Sequence, residues 1–484
     1  MVQKDLVKKQ KRLFKNKKQK NTTAIIKGNF FVRNKDLVYR VLFTLGILVL
    51  IRMGTYLTVP GIKLSDNFQS GVESQQFFQL LSTLGGGSIG KFSILALGVS
   101  PFITASIITQ LLSTDVIPVL TRWAKSGERG RRKLDRLTKF LTIPFALMQG
   151  IATIFTLIQQ GLITPKWSAT DLGIGPSWFY YILVPVVLLG GTFLMLWLAD
   201  EITTRGIGNG VSIVIFTGIV AQMPNNFQAT FKFWVGTGES SNILFDGILK
   251  FMIYIVGFFL VIFFLVIMNE AERKIPIQQT GSGLVDAKDH TPYLPLKVNN
   301  AGVIPVIFSS AIISTPITIS QILQASNPEN GFVLFTNNYL SFSTWWGIGI
   351  YAVLTILFTF LYAQVQINPE KIAENFQKSG TFIPGVKPGK DTRVYLRGVV
   401  NRLSWVGSFA LAAIAILPYI ISKLTNLPSS LAIGGTGLII VISVALQTYA
   451  QIKGRIIQQS FIDKKSETFG DTTNLNENKN SHIW

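Results

Sequence analysis

The chain has 484 residues, of which 48% are hydrophobic and only 14% charged, with a mean hydropathy of +0.40. That balance excludes a soluble globular protein, because too few charged residues remain for a surface that faces water on all sides. The net charge of +21 suits a nucleic-acid binder at first sight, but its placement assigns most of it to orientation in a membrane. Cysteine is absent, which removes disulfides and thiolate chemistry.

A basic tail (1–37), containing Lys8-Lys9-Gln10-Lys11-Arg12, comes first. Ten apolar stretches of about 15 to 25 residues follow, at 38–60, 92–112, 137–160, 178–199, 209–223, 247–268, 299–323, 345–367, 403–422 and 431–451. About 20 helical residues cross a hydrocarbon core of about 30 Å, so each stretch is read as a transmembrane helix, the fifth being short. None of them contains Asp or Glu. The first is too long for a signal peptide and no small-x-small cleavage site follows it, so it is read as a retained helix. The loops so defined put 38 of the 45 Lys and Arg residues on one side. Basic loops resist transfer across a membrane, which predicts that both termini are cytoplasmic.

Five stretches precede the middle of the chain and five follow it. This allows two inverted halves, 38–223 and 247–451, joined by an external connection at 224–246. The second stretch is interrupted: Gly85-Gly86-Gly87 precedes Ser88 to Leu97, and then Gly98 and Pro101 break the pattern. A short half-helix and a separate full helix are predicted. Two cytoplasmic loops, 269–298 and 368–402, exceed what a simple connection needs. The first carries Arg273-Lys274-Ile275-Pro276. The second reads as a short helix from Pro369 to Gln377 stopped by Gly380, turns at Pro384-Gly385 and Pro388-Gly389, and a helix capped near Asp391 or Thr392. The tail at 452–484 is polar, and no regular structure is predicted after Phe461.

Several motifs are decoys. Gly85 and Gly90-Lys91 have the spacing of a phosphate-binding loop, but Phe92 stands where a Mg²⁺-binding hydroxyl belongs. Gly206-Ile207-Gly208-Asn209-Gly210 follows no strand, so a dinucleotide fold is excluded. The two histidines, His290 and His482, lie in a loop and the tail. Without carboxylates or histidines in the spans, metal centres, intramembrane hydrolases and ion relays are disfavoured, and no cofactor is expected. Arg52 is the one basic residue well inside a span; it either lines a water-filled cavity, snorkels, or pairs with a backbone carbonyl.

Seven stretches, in order, carry a family resemblance. They are Arg52-Met53-Gly54 through Pro60-Gly61-Ile62, Ala96-Leu97-Gly98 through Gln110-Leu111-Leu112, Gly127-Glu128-Arg129-Gly130-Arg131-Arg132-Lys133, and Glu201-Ile202-Thr203-Thr204-Arg205 through Gly210. Leu294-Pro295-Leu296-Lys297-Val298-Asn299 with Ala301-Gly302-Val303-Ile304-Pro305, Lys378-Ser379-Gly380-Thr381-Phe382-Ile383-Pro384-Gly385, and Gly434-Gly435-Thr436 complete the set. Together they resemble the bacterial SecY family, central subunits of the general protein-translocation channel.

The resemblance implies an all-α membrane protein: ten transmembrane helices in two inverted five-helix halves, a clamshell, with a broken second helix forming a plug at about 79–97. It implies a pore ring of Val99, Ile103, Val211, Ile215, Ile307 and Ile440, a plug hinge at Gly85, Gly86 and Gly87, and a lateral gate with Thr104, Gln149 and Asn299 as its polar cluster. The residues agree with the ring, since all six are β-branched and two pairs are spaced i,i+4 on one helical face. The two long loops resemble a docking site for the ribosome or a translocation ATPase, through Arg273, Lys274, Lys387, Lys390 and Arg393. One departure stands out, because Lys387 replaces the family's usual Arg and so keeps the charge without the rigid fork. The implied partners are SecE-like and SecG-like small membrane subunits, the ribosome with its RNA and exit-tunnel proteins, a SecA-like ATPase, signal-bearing polypeptides and membrane lipid. The expected activity is a passive polypeptide channel of the plasma membrane rather than an enzyme. A polytopic secondary transporter is the alternative, and the missing midplane carboxylates count against it.

Overall fold

The computed structural model describes residues 35–66, 68–73, 78, 81–82, 85–113, 117–165, 178–236, 241–279, 292–326, 329–425 and 435–480. The basic tail before residue 35, the middle of the first long loop and Gly434 lie outside these residues, as do 79–80 and 83–84 of the expected plug. Among the described residues, ten helices of 14 or more residues carry the fold. They are α1 (Lys35–Gly54), α2 (Ser100–Ser113), α3 (Glu128–Gln159), α4 (Trp178–Arg205), α5 (Gly210–Val235), α6 (Ser241–Glu270), α7 (Ile304–Ser326), α8 (Trp345–Gln366), α9 (Lys390–Thr425) and α10 (Gly435–Asn480). Each overlaps one of the ten apolar stretches.

Among the described residues, seven helices are long and apolar enough to cross a membrane alone, and an eighth span results if α2 and the following short helix, bent by 100°, are counted together. Lipid explains their outer faces. On α6, Phe245, Ile253, Phe259 and Phe263 are each at least 63% exposed, which hydrocarbon favours and water would not.

The element boundaries differ from the sequence reading where distant contacts intervene. Helix α1 stops at Gly54 because residues 55–64 peel away: Thr58 bridges Ser93, and strand β1 (Ile62–Leu64) pairs antiparallel with β2 (Ile163–Pro165). The fifth span is not short, since α5 continues through Pro224 to Val235, and most of the expected connection at 224–246 is therefore helical. The predicted half-helix from Ser88 to Leu97 does not form. Ser88–Lys91 make a single 3₁₀ turn, and Phe92 and Gly98 both take positive φ, at 42° and 57°. The Ser88 hydroxyl is shared between the carbonyls of Gly85 (2.7 Å) and Leu95 (2.8 Å), and so holds this compact knot closed. Pro101 begins α2 rather than breaking a helix, because a missing N–H costs nothing in a first turn. At the other end α10 runs on to Asn480, well past Phe461, where the polar tail predicts no regular structure; no proline interrupts residues 435–480.

Packing forms two apolar bodies. One gathers Phe78, Ile89 and Phe92 with Leu157 of α3 and Leu188 of α4; the other gathers Leu265, Ile313, Tyr351, Leu411 and Ile439 from α6 to α10. A third cluster, shared by α1, α4, α5 and α10, lies where the chain's earlier and later helices meet.

Candidate functional site

That third cluster holds all six ring candidates. Val99, Ile215 and Ile440 are 0%, 4% and 2% exposed, and Ile103, Val211 and Ile307 pack against them partly buried. They come from the turn before α2 and from α2, α5, α7 and α10, so four helices aim stiff β-branched side chains at one place. The Ile103 amide bonds the Val99 carbonyl at 3.0 Å, which fixes that pair on one face. Such a collar excludes water without any charged group.

The glycine-rich segment is clasped beside the collar. Arg52 Nη1 donates to the Gly86 carbonyl at 2.9 Å, which selects carbonyl pairing among the three readings of that arginine. On α5, Gln222 Nε2 donates to the Ser82 carbonyl at 3.1 Å. Between these bonds the backbone of Gly86 lies against Gly218 so closely that a Cβ on Gly218 would come 2.3 Å from Gly86 Cα. Gly86 and Gly87 also have φ of 69° and 78°, so glycine is required there for conformation as well as for approach. Of the clasp, the sequence singles out only Arg52 and the glycines. Ser82, Gly218 and Gln222 carry no local signal, because their partners are remote in the chain.

Beside the collar, α2, α7 and α8 meet through Ile107, Phe308 and Phe358, with Ile103, Leu111 and Tyr362 packed around them. The Phe308 ring makes edge contacts with Phe358 and Tyr362 at 6.0 and 6.1 Å, so α7 is bound to α8 more specifically than to α2. The three expected gate polar residues are not joined by a hydrogen bond. Thr104 Oγ1 donates to the Ser100 carbonyl (3.2 Å) on its own helix, Asn299 Nδ2 donates to Asn269 Oδ1 (3.0 Å), and the buried Gln149 Oε1 has no partner among the described residues.

On the side of the two long loops, strands β3 (Glu272–Pro276) and β5 (Tyr293–Lys297) form an antiparallel hairpin. Beyond it, β4 (Gln278–Gln279) pairs with β6 (Thr381–Phe382) from the other loop. Ile275 and Leu296 share an apolar core with Ile383, Leu396, Val399 and Val400, so the loops and the start of α9 make one platform. The second loop follows its predicted plan: a helix at Pro369–Lys378 capped by Asn368, positive φ at Gly380, Gly385 and Gly389, and α9 from Lys390. Lys378, four residues on, holds the exposed Glu374 carboxyl below its usual range.

Arg273, Lys274, Lys387, Lys390 and Arg393 all lie on this platform, where all five are exposed. They differ in engagement. Lys274 sits 3.6 Å from Glu272 and over the Tyr293 ring, and Arg393 is ion-paired with Glu370, while Arg273, Lys387 and Lys390 have no ion pair among the described residues.

The SecY family profile matches residues 93–449. A protein translocase subunit SecY of Mycoplasma capricolum subsp. capricolum is 71% identical over 459 residues, 95% of each chain. The chain belongs to the SecY family. Its architecture agrees with that of solved channels. "The structure of a protein conducting channel" superposes with a TM-score of 0.62 at 18% identity, covering 87% of this chain and 93% of that one. Sec61 in the canine ribosome-channel complex from the endoplasmic reticulum gives 0.58 at 18%, with the same coverage. This SecY family member is thus an all-α, multi-pass membrane protein, as the resemblance implied.

Proposed function

We propose that the chain is a passive channel that passes unfolded polypeptides across the plasma membrane and releases apolar segments sideways into lipid. The observation that carries this reading is the single carboxylate-free collar where α2, α5, α7 and α10 converge. A secondary transporter needs polar groups of the opposite kind at such a midpoint, so that alternative is not favoured. The expected plug segment at about 79–97, clasped at Ser82 and Gly86, acts as the plug, and the apolar seam between α2 and α7 acts as the lateral gate. The spans form two halves about the collar, with both termini in the cytoplasm, the side set by the basic loops.

No nucleotide site is recognised in the sequence, so the driving force comes from a partner. The platform is the surface for a ribosome or a SecA-like motor, and SecE-like and SecG-like subunits complete the channel. Arg273, Lys387 and Lys390, basic and without an ion pair among the described residues, support this reading, as does the ribosome-bound state of the structurally similar Sec61. Reconstituted with those subunits and motor, the chain is expected to render a signal-bearing unfolded polypeptide protease-resistant inside vesicles. A transporter leaves all of it digestible.

Charge reversal tests docking separately. Arg273→Glu and Lys387→Glu are each expected to weaken ribosome binding several-fold and to make the slope of log affinity against log salt shallower by about one. Lys274→Glu has a smaller effect, since Lys274 is already shared with Glu272. Lys387→Arg strengthens binding by restoring a bidentate fork. Equal affinity across all four variants would remove the docking surface from the platform.

A further inference from the structure

The platform ends on one asparagine. Asn269, in the last turn of α6, accepts at a single oxygen from Asn299 Nδ2 (3.0 Å) and from Ser443 Oγ (3.4 Å), while its own Nδ2 donates to the Leu265 carbonyl at 2.9 Å. That oxygen joins α6, the segment that enters α7, and α10. Asn299 and Ser443 are 6% and 2% exposed and Asn269 is half-buried, so water competes only weakly for these bonds.

The junction is coupled in both directions. Toward the platform, the Val298 amide bonds the Ala271 carbonyl at 2.9 Å and closes the root of the hairpin. The Val298 carbonyl also lies against α9, where a Cβ on Gly407 would approach it to 2.6 Å. Ile275 and Leu296 tie the same hairpin to Leu396 and Val399, so the platform transmits displacement rather than absorbing it. Toward the pore, Ser443 is three residues from Ile440 on one face of α10, and the chain from Asn299 reaches Ile307 in the first turn of α7. Both of those isoleucines belong to the collar.

Two further atoms at the junction, Asn299 Oδ1 and Asn300 Nδ2, are buried without hydrogen-bond partners among the described residues. Buried amide groups are rarely left so, and these two leave the entry to α7 with unused hydrogen-bonding capacity. A polar junction with unused capacity is suited to exchange between two states.

We propose that Asn269 is a positioning residue that couples the platform to α7 and α10, so that engaging the platform displaces Ile307 and Ile440. This rests on the docking reading above. It requires no group to change charge and no ligand at Asn269 itself.

The absence of native cysteine makes a direct test possible. Ile307→Cys and Ile440→Cys, made separately in the full chain and reconstituted with its small partner subunits, each place one thiol at the collar. Alkylation by a water-soluble maleimide is followed with and without saturating non-translating ribosomes, and ribosome binding is measured on the same vesicles. Ribosomes are expected to change the rate several-fold at both positions. Asn269→Leu, which preserves volume but accepts no hydrogen bond, is expected to abolish both changes at unaltered ribosome affinity. Ser443→Ala cuts only the α10 arm, so the response at position 440 is lost and that at 307 persists; this pattern decides the matter even if Asn269→Leu fails to assemble. A full response at both positions in Asn269→Leu, or equal loss at both in Ser443→Ala, overturns the coupling. Bound ribosomes with no response in the parent chains overturn it too, whereas absence of ribosome binding in those parents overturns the docking reading instead.

Discussion

Ile440→Asn is expected to raise the resting ion conductance of the reconstituted channel by about tenfold or more, because it puts an amide into the apolar collar that we propose as the seal. Ile440 is 2% exposed and packs among apolar side chains, so the new amide finds few partners there. An unsatisfied buried amide costs about 1 to 3 kcal/mol, and water entering the constriction relieves that cost. Hydration of the collar is the step expected to admit ions. Ile440→Val, which removes one methylene and keeps the branched, apolar shape, is expected to remain closed to ions. Planar-bilayer recording separates the two variants, and equal low conductance from both would show that the seal lies elsewhere.

A comparable effect is expected at the clasp on the proposed plug. Arg52→Met removes the charge-assisted bond to the Gly86 carbonyl, a contribution of about 1.5 to 3 kcal/mol. This shifts the seating of the plug by roughly ten- to hundred-fold, at about 1.36 kcal/mol per factor of ten. Gly218→Ala acts from the other side, since its Cβ would lie 2.3 Å from Gly86 Cα and neither backbone is free to yield. Both variants are expected to show frequent brief openings in bilayers. Because both act through Gly86, the double variant should exceed the stronger single variant by little. Additive effects, or wild-type closure in Arg52→Met, would dissociate the arginine from the plug.

Much of this architecture is legible in the residues because it depends on local chemistry. A carboxylate-free stretch of about 20 apolar residues is a span wherever its neighbours are, and basic loops orient it without reference to tertiary contacts. The second platform loop is legible for the same reason: Asn368 caps the helix it precedes, and Gly380, Gly385 and Gly389 take the positive φ that other residues avoid. The six collar residues are picked out by family resemblance, and their β-branched shape and helical spacing agree with it. Composition alone does not distinguish them from the many other Ile and Val residues in the spans.

Where a local reading fails, long-range bonds override local preference. Residues 88–97 look helical between their glycines, yet bonds from Ser88 and the bridge between Ser93 and Thr58 fold them into turns. Asn299 carries the same amide whichever neighbour it meets, and the fold gives it to Asn269 rather than to Thr104. The sequence by itself therefore determined that this protein spans a membrane, which way its basic loops are expected to face, and where its loops turn, because hydropathy, charge and backbone stereochemistry act over a few residues. Only the tertiary structure decided which polar groups meet. Gln222 finds Ser82 across 140 residues and Ser443 finds Asn269 across 174, pairings set by how whole helices pack and by the need to satisfy polar atoms away from water.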